Sequence, residues 1–294
     1  GAMDRMGLGW KAMHELNPEL IYTSISGYGP NGPSSGRRAY DNVIQAASGL
    51  ASVQAHPATG TPELFRTLVC DKATAYTATQ AITAALFARA TGAASGQHIE
   101  LAMLDTAIAF MWPDSAMDAV LLDDDTTRAP TIASAYNTVT LADGYAATSV
   151  VTESEFRGQC NTFGLSDLAD DPRFANADLR RANRQELNAE LKEAAAATTI
   201  AQFAERSAQF DLPGATVSTL DELPTDPQVI TNGTFIEREH PIAGHIREPR
   251  AAARFSETPQ RVSDFAPTFG QHSDDIAMEL GLDATELRAA GVIF

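Results

Sequence analysis

Alternating strand and helix patterns near the start of the chain constrain its fold more than any other feature. A β-rich run at residues 20–26 leads into a Gly/Pro loop at 27–33, and a helical pattern follows at 41–53. A short strand pattern at 98–101 then precedes a helical pattern at 105–112. This alternation is typical of α/β proteins, in which the loops after strand ends bind ligands. We therefore predict a Rossmann-like open sheet in this part of the chain.

The rest of the chain shows a different pattern. The tripeptide Ala142-Asp143-Gly144 separates two strand-like runs and predicts a hairpin. Helical patterns follow at residues 153–162, 182–197 and 200–210. We predict a second, smaller α+β domain here. The predicted division is a large α/β domain over residues 1–115, an exposed linker over 116–130, the small α+β domain over 131–225 and a long C-terminal segment over 226–294.

Composition limits the possible functions. The 294 residues include 44% hydrophobic side chains, enough to bury a large core, and no apolar run is long enough to span a bilayer. The net charge of −17 argues against a nucleic-acid partner, because phosphate binding depends on clustered Lys and Arg. Two cysteines, Cys70 and Cys160, fit a reduced compartment and offer no metal-ligand spacing. We expect a cytoplasmic enzyme without a metal or a membrane partner.

Asp71 is the candidate catalytic residue. It follows an apolar run at residues 64–70 and precedes an alanine-rich helical pattern at 72–89. A carboxylate at a strand-to-helix boundary faces the positive end of the helix dipole, which keeps it ionised and oriented as an oxygen nucleophile. The alternative is that Asp71 only caps the helix, a common role for aspartate. Cys70, beside it, is interpreted as a buried strand-end residue.

The order of short motifs along the chain resembles the family III CoA-transferases, a group that includes formyl-CoA, succinyl-CoA and carnitine CoA-transferases and, as a sister branch, 2-methylacyl-CoA racemases. Each motif alone is weak, but together they cover nearly the whole chain. In chain order they are NPELIYTSISGYGPNGP at 17–33, YDNVIQAASGL at 40–50, Asp71 and its helix, TG at 91–92, SGQHIE at 95–100, LD at 104–105, DPQ at 226–228, HP at 240–241, RFS at 254–256, TP at 258–259 and GQHSD at 270–274.

This resemblance implies an acyl-CoA:carboxylate CoA-transferase that works through an aspartyl mixed anhydride and an aspartyl-CoA thioester on Asp71. Coenzyme A is then a co-substrate, and the partners are acyl-CoA and carboxylic acids. Arg5, Met6 and Arg38 match positions that bind CoA, and arginine suits this role because its planar fork binds phosphate oxygens. Tyr40 falls in a segment that resembles the wall of the thioester site. Without the resemblance, Arg5 would be as well explained as a solvated residue at a helix end.

Tyr40 also separates the two branches of the family. The racemases that resemble this chain carry histidine at this position, because stereoinversion needs a second proton-transfer group opposite the aspartate. A phenol with an ordinary pKa of about 10 is a poor partner for that exchange. A transferase is therefore favoured, and a 2-methylacyl-CoA racemase or isomerase remains the alternative. An inactive, truncated CoA-binding remnant is the third possibility.

The resemblance also carries expectations about the ends of the chain. Residues 1–9 resemble an internal segment, before which the family has a βαβ-type region of roughly a hundred residues. Residues 226–294 resemble a segment that returns to the large domain. The family further implies an interlocked homodimer, in which each chain threads through the ring of the other.

Overall fold

The chain folds as two compact units, residues 1–138 and residues 139–294. A computed structural model describes residues 1–123, 132–262 and 264–294. Part of the predicted linker, residues 124–130, lies outside the described residues, and residues 117–120 before it form a short 3-10 helix.

The first unit is mixed α/β, as predicted. Its helices and strands are α1 (Ala2–Arg5), α2 (Trp10–Leu16), β1 (Ile21–Ser26), α3 (Asp41–Ala47), α4 (Leu50–Val53), α5 (Val69–Ala90), β2 (Gln97–Ala102) and α6 (Met103–Ser115), followed by 3-10 helices at Met117–Val120 and Ile132–Ala135.

The two strands of this unit are parallel neighbours. Ile21 pairs with Gln97 at one end and Ser26 pairs with Ala102 at the other. Parallel strands need a crossover connection, and here the chain passes through α3, α4 and α5 between them. The strands predicted at residues 20–26 and 98–101 are thus confirmed. Their parallel pairing through intervening helices is the arrangement typical of α/β proteins.

Four helices pack around a small apolar core in this unit. Ile44, Leu50, Cys70 and Ala107 are its buried members, contributed by α3, α4, α5 and α6. The helix predicted over residues 41–53 is wrong as a single element, because α3 ends at Ala47 and α4 begins at Leu50. Gly49 between them has φ of +89°, a left-handed conformation that interrupts a helix and that glycine adopts without a steric penalty.

The strand-to-helix boundary predicted at Asp71 is also wrong. Helix α5 begins at Val69, so Asp71 is its third residue and Cys70 its second. Residues 61–68 form no strand. Their backbone is held instead by a side chain of α3, Gln45, which bonds to Phe65 and Thr67.

Helix α5 is the longest described helix, with 22 residues. Neither it nor any other helix in the described part of the chain is long and apolar enough to cross a membrane.

The second unit contains the predicted hairpin and helices. Its elements are β3 (Val139–Thr140), β4 (Tyr145–Thr148), α7 (Glu153–Thr162), α8 (Ala177–Ala182), α9 (Arg184–Ala196), α10 (Ile200–Gln209), β5 (Gly214–Thr216), α11 (Pro227–Thr231), β6 (Phe235–His240), β7 (Gly244–Pro249), α12 (Ser273–Glu279) and α13 (Ala284–Ala289), with 3-10 helices at Ser166–Asp170, Pro172–Phe174 and Leu223–Thr225. Strands β3, β4 and β5 form one antiparallel sheet, and β6 and β7 form a separate hairpin.

Local signals define two of these helices. Thr152 and Glu155 form a capping box at the start of α7, and Thr199 and Gln202 form another at the start of α10. Each box satisfies backbone N–H groups that the first helical turn leaves unpaired. The helices predicted at residues 153–162 and 200–210 are confirmed as α7 and α10, and the capping boxes explain where they begin.

We predict that Gly158→Ala destabilises the second unit. Alanine is the better helix former by about 1 kcal/mol, but a Cβ at this position of α7 would lie 2.6 Å from the carbonyl oxygen of Phe210. Relieving that overlap requires the backbone to move, at a cost of about 1–3 kcal/mol. Thermal unfolding measures the change. Gly36→Ala is the control, because its Cβ would meet no atom within 4 Å; equal stability of the two variants would contradict the packing argument.

Candidate active site

Asp71 lies in the first turn of α5 and is exposed to solvent. Its backbone N–H donates a hydrogen bond to Oδ2 of Asp41, at 3.0 Å. The Asp71 carboxylate itself has no hydrogen-bond partner among the described residues. Asp71 is therefore not the residue that caps this helix, and its side chain remains available for other chemistry.

Asp41 supplies the cap from another helix. It is the first residue of α3 and is only 5% exposed. One carboxylate oxygen accepts the Asp71 N–H, and the other accepts Nε2 of Gln45 at 2.6 Å. A buried carboxylate is costly unless its oxygens are hydrogen-bonded, and both oxygens of Asp41 are.

Gln45 connects the same helix to the segment before α5. It is 1% exposed, and its Oε1 accepts the N–H of Phe65 at 2.8 Å. Its Nε2 lies 3.2 Å from the carbonyl oxygens of both Phe65 and Thr67, in addition to its bond to Asp41. One side chain thus fixes a loop that has no strand partner.

Asp71 and Tyr40 line the same open cleft, of about 530 Å³. Tyr40 directly precedes α3 and is 71% exposed, and Leu68 contributes an apolar wall. Two cations, Arg66 and Lys72, also line the cleft. The structure therefore brings together two of the residues that the sequence singled out, with positive charge beside them.

The predicted CoA-binding residues lie elsewhere in the first unit. Arg5 ends α1, Met6 follows it, and Arg38 lies in the loop between β1 and α3. All three are exposed, and none lines the cleft that contains Asp71. Their role in CoA binding stays a prediction.

The glycine-rich loop after β1 has a structural explanation. Gly29 and Gly32 have φ of +92° and +91°, and the Gly29 N–H donates to Oγ of Ser26 at 3.0 Å. These conformations belong to tight turns, and glycine adopts them without a steric penalty.

Cys70 is not suited to be the nucleophile. Burial, followed by the nearby charges of Asp41 and Asp71, raises the pKa of its thiol to about 11. The thiol is 1% exposed and stays protonated at neutral pH, whereas a reactive cysteine must be a thiolate. Of the two neighbours, only Asp71 is exposed to an incoming substrate.

Sequence reasoning missed Asp41 and Gln45. The sequence analysis gives neither residue a role, and the contact between Asp41 and Asp71 is known only from the structure. The available signal was an Asp and a Gln four residues apart at the start of a helical pattern, a spacing at which side chains meet on one helix face.

Comparison with known proteins defines the family. The profile of CoA-transferase family III matches residues 1–273, and the chain belongs to this family. It is 30% identical to the succinate–glutarate CoA-transferase of Agrobacterium fabrum over 280 residues, which are 94% of this chain and 69% of that protein. It is also 30% identical to the human succinyl-CoA:glutarate CoA-transferase, over 100% of this chain and 68% of that protein.

A solved structure supports the same conclusion. The CaiB/BaiF family protein of Brucella suis superposes with a TM-score of 0.78 at 28% identity, covering 95% of this chain and 73% of that one. The chain spans 63% of the length of one acyl-CoA transferase relative, from Fusarium pseudograminearum.

We predict that both cysteines resist alkylation in the folded protein. Burial raises the pKa of Cys160 to about 11, as it does that of Cys70, so little thiolate exists at pH 8. Mass spectrometry after iodoacetamide treatment should find both thiols unmodified in buffer and both modified in denaturant. Rapid labelling of Cys70 in the folded protein would return it to consideration as a nucleophile.

Proposed function

We propose that the protein transfers coenzyme A from an acyl-CoA donor to a carboxylic acid, with Asp71 as the nucleophile. One observation carries the proposal: the Asp71 carboxylate lines an open cleft while its own N–H is bound by Asp41. Membership of CoA-transferase family III supports the reaction type.

The reaction proceeds in steps at two carbonyl carbons, that of the acyl group and that of the Asp71 side chain. The Asp71 carboxylate attacks the thioester, and a mixed anhydride forms as CoA thiolate leaves. The thiolate attacks the aspartyl carbonyl, which forms an aspartyl-CoA thioester and releases the first carboxylic acid. The acceptor carboxylate attacks this thioester and gives a new mixed anhydride and free thiolate. The thiolate then attacks the acyl carbonyl, so that the new acyl-CoA leaves and Asp71 is regenerated.

We further propose that the acceptor is a small dicarboxylic acid. The Agrobacterium relative is named a succinate–glutarate CoA-transferase, and the human relative is named a succinyl-CoA:glutarate CoA-transferase. The cleft beside Asp71 contains Arg66 and Lys72, which could pair with a carboxylate remote from the reacting one. Such local cations matter here because the chain as a whole carries a net charge of −17.

Coenzyme A is itself an anion, and we propose Arg5 and Arg38 as the residues that pair with its phosphates. Both are exposed, and an unburied guanidinium can present its fork of N–H donors to phosphate oxygens. Met6, 59% exposed, would contact the nucleotide, and Tyr40 would line the thioester site.

We also propose that the protein works as an interlocked homodimer. Large apolar side chains of the first unit are left open to solvent: Tyr76 and Phe87 on α5 are 78% and 70% exposed, and Phe110 on α6 is 63% exposed. Apolar surface of this extent is typical of faces that other protein surface covers.

Asp71→Ala tests the nucleophile. We expect transfer to be abolished while CoA affinity stays within about threefold, because the phosphates are held elsewhere. The protein as its gene encodes it should be incubated with succinyl-CoA and a panel of carboxylic acids, and products measured by mass spectrometry. Hydroxylamine or borohydride added during turnover should modify Asp71 in the wild type. Transfer at near wild-type rate in the variant would reject the assignment.

The same preparations separate the transferase from the racemase alternative. A racemase exchanges the α-proton of a 2-methylacyl-CoA in heavy water without any acceptor, since the proton must leave and return. We expect no measurable exchange under conditions that support transfer. Rapid deuterium uptake without a carboxylate acceptor would favour the isomerase.

Arg5→Ala and Arg38→Ala test the CoA contacts. Each should weaken CoA binding by roughly 1.5–3 kcal/mol, the range for hydrogen bonds to charged groups. Calorimetry measures the affinity. Dephospho-CoA lacks the 3′-phosphate, so the variant of the arginine that binds this phosphate should lose less affinity for dephospho-CoA than for CoA. Arg184→Ala, an exposed arginine of the second unit, controls for the change in net charge. Equal affinities for all three variants would place Arg5 and Arg38 outside the CoA site.

A further inference from the structure

Two buried polar side chains, Asp41 and Gln45, lie beside the proposed nucleophile and line the same cleft. Asp41 is 5% exposed and Gln45 is 1% exposed, although both residue types normally face water. Polar groups at this depth are retained only when hydrogen bonds replace the lost water. Their bonds should therefore show what they hold in place.

The bonds of Gln45 and Asp41 all connect α3 to the residues that lead into α5. Gln45 reaches Phe65 and Thr67, 20 and 22 residues further along the chain, through both atoms of its amide. Asp41 reaches the N–H of Asp71, 30 residues along. The 2.6 Å bond between Asp41 and Gln45 joins the two sets of contacts into one network.

The contact at Asp71 has a chemical consequence. The first turn of a helix leaves N–H groups without partners, and an aspartate in that turn commonly binds them with its own side chain. Here the carboxylate of Asp41 accepts the Asp71 N–H instead. The Asp71 carboxylate keeps its lone pairs for an incoming carbonyl carbon, and the backbone that carries it is fixed on one side.

We propose that Asp41 and Gln45 are positioning residues for the transfer reaction: together they hold the first turn of α5 so that the Asp71 carboxylate stays free and aimed into the cleft. This inference rests on the proposed role of Asp71 as nucleophile. Neither residue needs to touch the substrate, and their effect reaches the reaction through Asp71.

Asp41→Asn is the most direct test. The substitution keeps the size of the side chain but leaves one oxygen acceptor for two donors, the Asp71 N–H and Nε2 of Gln45. We expect kcat to fall roughly 10- to 100-fold, the loss that a displacement of about 1 Å produces at a reacting group. KM for the acyl-CoA should change less than about threefold, since the CoA contacts are untouched. The rate at which the Asp71 adduct forms should fall in proportion to kcat. It is measured by trapping the adduct with hydroxylamine in a single turnover.

A double variant tests whether the two residues act as one network. Gln45→Met alone removes the hydrogen bonds of Gln45 to Asp41, Phe65 and Thr67 while keeping a side chain of similar length. If Asp41 and Gln45 hold the same turn of α5, then Asp41→Asn adds little to a network that Gln45→Met has already broken. The loss of kcat in the double variant should therefore be at least about fivefold smaller than the product of the two single losses, a coupling that independent sites do not show.

Thr106→Val provides a matched structural control. Thr106 is 7% exposed in α6 of the same unit, and its hydroxyl donates to the carbonyl of Ala102 at 2.9 Å. Its loss removes a buried hydrogen bond without touching the network at Asp71. Thermal unfolding should show a lower midpoint for this variant, while its kcat stays within about twofold of wild type.

The outcomes distinguish this inference from the proposed function. A normal kcat and adduct rate in Asp41→Asn, with Asp71→Ala inactive, would overturn the positioning role and leave the nucleophile intact. Losses of kcat in Asp41→Asn no larger than those of Thr106→Val, or losses that simply multiply in the double variant, would also overturn it. An active Asp71→Ala would instead reject the proposed function itself.

Discussion

The hydrogen bond from the Asp71 N–H to the Asp41 carboxylate is the interaction on which the candidate site depends. It joins the first residue of α3 to the first turn of α5. The apolar core beneath it contains Ile44 from one helix and Cys70 from the other, so polar and apolar contacts fix the same pair of elements. An apolar core constrains distance, whereas a hydrogen bond also constrains direction. Chemistry at a carboxylate requires both.

Electrostatics give the site a second requirement. The chain is acidic overall, with a net charge of −17, and both CoA and the acceptor acids of the proposed reaction are anions. Long-range attraction therefore cannot collect these substrates, and binding must depend on short-range pairing with individual cations. Arg66 and Lys72 line the cleft, Arg5 and Arg38 are exposed in the same unit, and our proposal assigns such pairing to these four cations.

The sequence predicted features that local signals determine. The capping boxes at Thr152 and Thr199 lie within four residues, and the helices they begin were placed correctly. The sequence predicted Asp71 at the boundary before a helix, whereas Asp71 is the third residue of that helix. The start of α5 depends on Gln45, whose partners lie 20 and 22 residues away, and no local pattern encodes that contact. Residues 64–70 have the apolar composition of a strand and fold otherwise because a distant side chain binds their backbone.

The parallel pairing of β1 and β2 has a consequence for folding. Ile21 meets Gln97, so the sheet closes a chain segment that contains α3, α4 and all of the Asp41–Asp71 cleft. Closing a shorter loop costs less conformational entropy, and the contact between Asp41 and Asp71 spans only 30 residues. The contact between Asp41 and Asp71 therefore costs less chain entropy to form than the pairing of β1 with β2, which encloses it in the sequence.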